Sequence, residues 1–158
     1  MSSNYVMMLR ESLEKKIEVL EAIMVANERQ KEVLSDPLST PDDLQATYDR
    51  KDELIDVLES LDRGFETMYS RIRRDIQNNK EEYSDEIKKM QKLIEKISDL
   101  SASIQADELR NKALAEAKFS KLKSQVSSVK KNRSAVNSYN RSMGQINNVD
   151  PQFMDSKN

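Results

Sequence analysis

The sequence predicts an all-α protein: an antiparallel helical hairpin or three-helix coiled-coil bundle, with an overhanging C-terminal helix and a disordered tail. Three observations carry that prediction. Apolar residues recur at spacings of three and four along most of the first 130 residues. Helix breakers are scarce, with 2 Gly and 3 Pro in 158 residues, and two of the prolines fall in one short stretch, "LSDPLSTPDD" from Leu34 to Asp43. Charged residues make up 34% and hydrophobic ones 37%, which suits long helices with one narrow apolar stripe each.

The first segment, about residues 4–35, carries Val6, Leu9, Leu13, Ile17, Leu20 and Met24 on one seam. Asn27 and Lys31 continue its phase, so the seam turns polar toward its end. Met7, Met8 and Met24 read as flexible gap fillers. Pro37 then disfavours helical geometry at Asp36 and stops the helix. Thr40 is a natural N-cap, Pro41 fits the first helical position, and Asp42 and Asp43 suit the positive end of a new helix. The stretch is therefore the bend of a hairpin, not a domain boundary.

The second segment, about 41–79, has its seam at Leu44, Tyr48, Ile55, Leu58, Leu61, Phe65, Met68, Ile72 and Ile76, with Lys51 as the one charged member. Gly64 inside it suggests close packing or a slight bend. A turn is expected near Gln77–Asn79, with Asn79 as N-cap and Glu82 as its reciprocal partner. Without that turn, one helix would run on to about Val129 and would call for a homodimer to cover its stripe. The third segment, about 80–130, has a wide apolar face at Met90, Leu93, Ile94, Ile97, Leu100 and Ile104. "QADELRNK" thins the seam to polar residues, and a weaker stripe resumes at Ala115, Phe119, Leu122, Val126 and Val129. A hairpin of this length puts Lys118 level with Pro41, so this last stripe is expected to project past the bundle as a docking element centred on Phe119 and Leu122.

Composition excludes several function classes. There is no His or Cys, so no Cys/His or Ser–His–Asp nucleophile, no zinc site of the usual ligands and no disulfide. Gly64 and Gly144 stand alone, so no phosphate-binding loop is present. Carboxylates lie in mixed-charge helical patterns, where a solvated face is the expected role. No enzyme activity, cofactor or metal is expected. No stretch approaches the ~20 apolar residues of a membrane span, and the N-terminus lacks a signal-peptide pattern, so a cytoplasmic protein without membrane insertion is expected.

Residues 117–149 carry seven Lys or Arg and no acid, while the whole chain has a net charge of −2. The body is thus acidic and the part beyond it basic. Seven charges over 33 residues is dilute, and only Phe119 and Tyr139 could stack on bases, so nucleic acid is not an expected partner. Residues 131–158 read as a flexible basic and polar tail following one helical domain, 1–130.

The stretches "LEKKIEVLEAIMVANERQKEVL", "YDRKDELIDVLESLDRGFE" and "IQADELRNKALAEAKF", with a tail ending "PQFMD", resemble the FlgN-like flagellar export chaperones, particularly those of Gram-positive bacteria. The resemblance covers about Asn4 to Lys123. It implies a chaperone that binds the C-terminal helical segments of hook–filament junction (hook-associated) proteins, keeps them soluble and delivers them to the type III export gate. It also implies client binding by the C-terminal helix, which here maps onto Asn111, Leu114, Ala115, Phe119, Leu122 and Val126. Tyr139 corresponds to a tail tyrosine that docks to the export gate in some members, although its spacing to Gly144 differs from theirs. The alternative reading is a structural, oligomeric coiled-coil protein without a client.

Overall fold

The computed structural model describes residues 2–128. Three helices make up this part: α1 (Ser2–Ser35), α2 (Pro41–Asn78) and α3 (Ser84–Ser128). The tail expected over 131–158, with Tyr139, lies outside the described residues. The helices contribute to two compact units, one of residues 1–22 with 56–103 and one of 23–55 with the C-terminal part from 104.

In the first unit, Val6 and Leu9 of α1 pack with Ile72 and Ile76 of α2 and with Tyr83. Phe65, Met68, Ile87 and Met90 flank that cluster, half-buried. Arg10 pairs with Glu86 at 2.8 Å and Glu21 with Lys96 at 3.6 Å, so α3 runs parallel to α1 here. Lys16 meets Asp62 at 2.7 Å, and α2 is antiparallel to both. The wide face expected on α3 is only partly used in this unit: Met90, Leu93, Ile97 and Leu100 are half-buried and Ile94 is exposed. Met7 and Met8 lie exposed rather than filling gaps, because the buried seam of α1 runs through Val6 and Leu9 instead.

The break between α2 and α3 falls at residues 79–83, so α3 begins at Ser84 rather than near 80. Asn79 does not cap α3 as expected. Its side-chain amide donates to the Asp75 carbonyl at 3.0 Å and to Asp75 Oδ1 at 2.7 Å, closing the C-terminus of α2. An asparagine amide can donate as well as accept, so the same residue serves either helix end. Gly64 is not explained by packing within the chain. A Cβ built there would meet nothing within 4 Å. An interior helical glycine is nonetheless about 1 kcal/mol less favourable than alanine.

In the second unit, Val33, Leu34, Leu44, Tyr48 and Ala115 form the apolar cluster, with Leu114 packed against it. The connecting loop is a turn built by its own residues. Ser39 N–H donates to the Asp36 carbonyl at 3.2 Å, Leu38 N–H to Asp36 Oδ1 at 2.9 Å, and Pro37 sits where its fixed φ is favourable. The restart is a reciprocal cap. Asp43 N–H donates to Thr40 Oγ1 at 3.1 Å, and Thr40 N–H donates to Asp43 Oδ2 at 2.9 Å.

Those bonds from Thr40 hold the Asp43 carboxyl below its ordinary range. A depressed carboxylate contributes stability above its unfolded value, and that contribution is lost as the pH falls through the folded one. Thr40→Ala should lower unfolding free energy by about 1 kcal/mol in urea titrations at neutral pH. Asp43→Asn should flatten the acid limb of the stability profile below about pH 4, read by circular dichroism across a pH series.

Candidate functional site

The second unit holds a buried polar layer. Lys51 of α2 has a side chain only 1% exposed, and its Nζ lies 2.6 Å from Glu108 Oε1 and donates to Oε2 at 2.7 Å. The same ammonium donates to Gln30 Oε1 at 3.2 Å and sits 5.8 Å from the centre of the Tyr48 ring. Gln30 Nε2 donates to Thr47 Oγ1 at 3.1 Å, and that hydroxyl donates to the Leu44 carbonyl at 2.6 Å. Asn111 Nδ2 donates to the Asn27 carbonyl at 3.0 Å and to Gln30 Oε1 at 3.1 Å. Arg110 closes the edge of the layer, with Nε on Asn111 Oδ1 and Nη1 on Glu28, each at 3.2 Å. All three helices are thus joined by charge-assisted bonds out of water, where each is strong and each missing partner costly.

Beyond this layer, toward the loop, an open cleft of about 600 Å³ lies between the loop and the outer part of α3. Its walls are Val33, Leu34, Pro37, Pro41 and Leu44 on one side and Leu114, Ala117 and Leu122 on the other, with Lys118, Lys121 and Gln125 adding polar atoms. Lys118 fixes one wall to the other. Its Nζ donates to Ser39 Oγ at 2.5 Å, to the Asp36 carbonyl at 3.0 Å and toward the Val33 carbonyl at 3.5 Å. Ser39 Oγ in turn donates to the Val33 carbonyl at 2.6 Å. A cation on the carbonyls at a helix C-terminus is the favourable arrangement. Desolvation pulls the Lys118 ammonium below its ordinary range, with Asp36 and Asp43 acting against that. Lys118 does lie level with the start of α2.

The six residues assigned from sequence separate into two groups. Asn111 and Ala115 are buried inside the unit, 2% and 1% exposed, the first in the polar layer and the second against Val33, Leu34, Leu44 and Tyr48. They hold α3 in place and have almost no surface open to solvent. Leu114 and Leu122 line the cleft, and Phe119 and Val126 are half-buried on the same stretch of α3 outside the cleft lining. The stripe is therefore covered by its own chain as far as Ala115, farther out than the expected overhang. "QADELRNK" is not a thinning of the seam, since it supplies Glu108 and Asn111. Asn27 and Gln30, at the polar end of the α1 seam, are likewise buried.

The signal for this layer was present in the sequence. Folding the chain near residue 80 sets position 51 opposite 108, and folding it near 38 sets 30 opposite 47. Polar residues at matching levels of three seams mark a shared layer. Among the described residues no group of three or more His, Cys, Asp or Glu is placed to hold a metal, and no helix is long and apolar enough to cross a membrane.

A family model described as "FlgN protein" matches residues 1–145 of this chain. The chain belongs to the FlgN family. FlgN proteins are flagellar export chaperones, and that general role is this chain's. No curated protein and no solved structure matches it significantly.

The polar layer gives a sharp test in this FlgN-family chain. Lys51→Met strands the Glu108 carboxylate in the interior and should destabilise by about 3–5 kcal/mol. Lys51→Met combined with Glu108→Leu should recover most of that loss. A double-mutant cycle by urea unfolding reads the coupling. Additive effects of the two changes would mean that the pair is not coupled.

Proposed function

We propose that this FlgN-family chaperone binds the C-terminal helical segment of a hook-associated flagellar protein on the cleft beside α3, keeps it soluble in the cytoplasm, and delivers it to the type III export apparatus. The observation that carries the reading is the cleft itself. Apolar side chains stand on both of its walls, it is open to solvent, and Phe119 and Val126 lie half-buried on the same stretch of α3. Phe119, Leu122 and Val126 lie along one side of α3 at spacings of three and four, and Leu122 joins that side to the cleft, which offers an incoming amphipathic helix a continuous apolar track.

The chemistry is binding alone. The client inserts two or three apolar side chains between the loop wall and α3, each contributing ~1.5–3 kcal/mol before association costs are met. Lys121, exposed at the rim, offers a cation to an acidic client residue. Ordering a client segment on binding lowers the net affinity and keeps release easy, as a carrier needs. Asn111 and Ala115 act on the client only by fixing α3. No nucleotide, metal or covalent step enters the cycle, and an enzymatic role is not part of this reading.

Phe119→Asp with Leu122→Asp should weaken binding of a purified hook-associated protein, or of its C-terminal peptide, at least about tenfold in calorimetric titrations. Circular dichroism should show helicity kept. Unchanged affinity in a helical variant would remove the cleft from client binding and return the chain to a structural coiled-coil role.

A further inference from the structure

Gly64 is a helix-weakening residue that the fold of a single chain does not call for. A side chain there would meet open space, yet the position is occupied by the one residue that leaves a gap in the helix surface. On the same side of α2, Val57 is 47% exposed and Leu61 and Met68 are only half-buried. The four positions are spaced 4, 3 and 4, a short coiled-coil seam that borders the core seam, with Met68 touching the edge of the Val6–Leu9 cluster and keeping part of its surface outside it. The neighbouring hydroxyls do not compete for a partner. Thr67 and Ser70 each donate to a carbonyl four residues back, at 2.9 Å.

We propose that this seam is a homodimer interface, paired antiparallel with the same seam of a second copy about a two-fold axis between positions 62 and 63. The spacing reads the same in both directions, so the operation places Val57 against Met68 and Leu61 over Gly64. A bulky side chain then meets the gap on both sides of the axis, as an isologous contact demands. Charge follows nearly the same symmetry. Asp56 and Arg71 are both exposed, and neither joins an ion pair among the described residues. The two-fold brings the second copy's Arg71 to within two residues of Asp56, about 3 Å along the axis, and does so twice. A foreign helix would have no reason to supply both the side chains that fill the gap at Gly64 and the charges that meet Asp56 and Arg71, and a second copy carries both.

Sedimentation equilibrium of the full chain over a wide concentration range tests this. The expected result is a reversible dimer that Gly64→Leu makes monomeric, with helicity retained. Gly64→Ala should raise the urea midpoint, because alanine favours the helix, while weakening self-association. Asp56→Arg or Arg71→Asp alone should weaken the dimer about three- to tenfold, and the two together should restore it to within about twofold. A chain monomeric at every concentration, a dimer that survives Gly64→Leu, or a double reversal that fails to restore it would each overturn the proposal. A seam shielded from labelling only when a hook-associated protein is added would assign it to the client and overturn it equally.

Discussion

A lysine ammonium and a glutamate carboxylate held together out of water set the terms for the second unit. Neither charge can be left alone there, so Lys51 of α2 must face Glu108 of α3 in every folded molecule. The apolar residues around them would tolerate a slipped register, since one leucine replaces another with little loss. The ion pair does not tolerate it. Gln30 and Asn111 extend the same demand to α1. Once that level is fixed, helical rise puts Ala115 on Val33 and Leu44 and brings Lys118 to the loop carbonyls. The shape of the cleft is thus decided two turns away, in a polar layer buried between the helices.

Much of the fold was legible because it rests on local rules. The seams of α1 and α2, the proline stop and the Thr40 cap each depend on residues within a turn of one another. Asn79 shows the limit of such rules. Its Asn-x-x-Glu pattern fits a helix start, but the amide found the carbonyls of the helix before it. The polar layer was misread for a different reason. On one helix at a time, Asn27, Lys51 and Glu108 look like defects in a stripe, and only the alignment of three helices turns them into partners. The cleft was half legible. Ala115, Phe119, Leu122 and Val126 share a stripe that periodicity finds, but periodicity cannot tell which end of the stripe its own chain covers, and Asn111 and Leu114 entered only through the family resemblance. Pro37 and Pro41 were read as punctuation, and they also serve as walls.

The composition fits a carrier better than a catalyst. Few aromatic residues and a narrow apolar stripe per helix leave little to bury, and several large side chains remain half in water. An exposed apolar surface on a highly charged helical scaffold can be offered to a partner while charge of both signs keeps copies from collapsing onto each other at random. The general chaperone role of the FlgN family and the physical economy of the chain therefore point the same way.

Asn27 gives the polar layer a second character. Its backbone carbonyl accepts a bond from Asn111, but its side-chain amide, fully buried, has no partner among the described residues. An amide in that position is penalised in the closed state and relieved as soon as water reaches it. The layer that enforces register is accordingly also the layer with most to gain from brief opening. Lock and breathing point coincide: the level that sets the register of three helices is also the level where entering water finds a waiting partner.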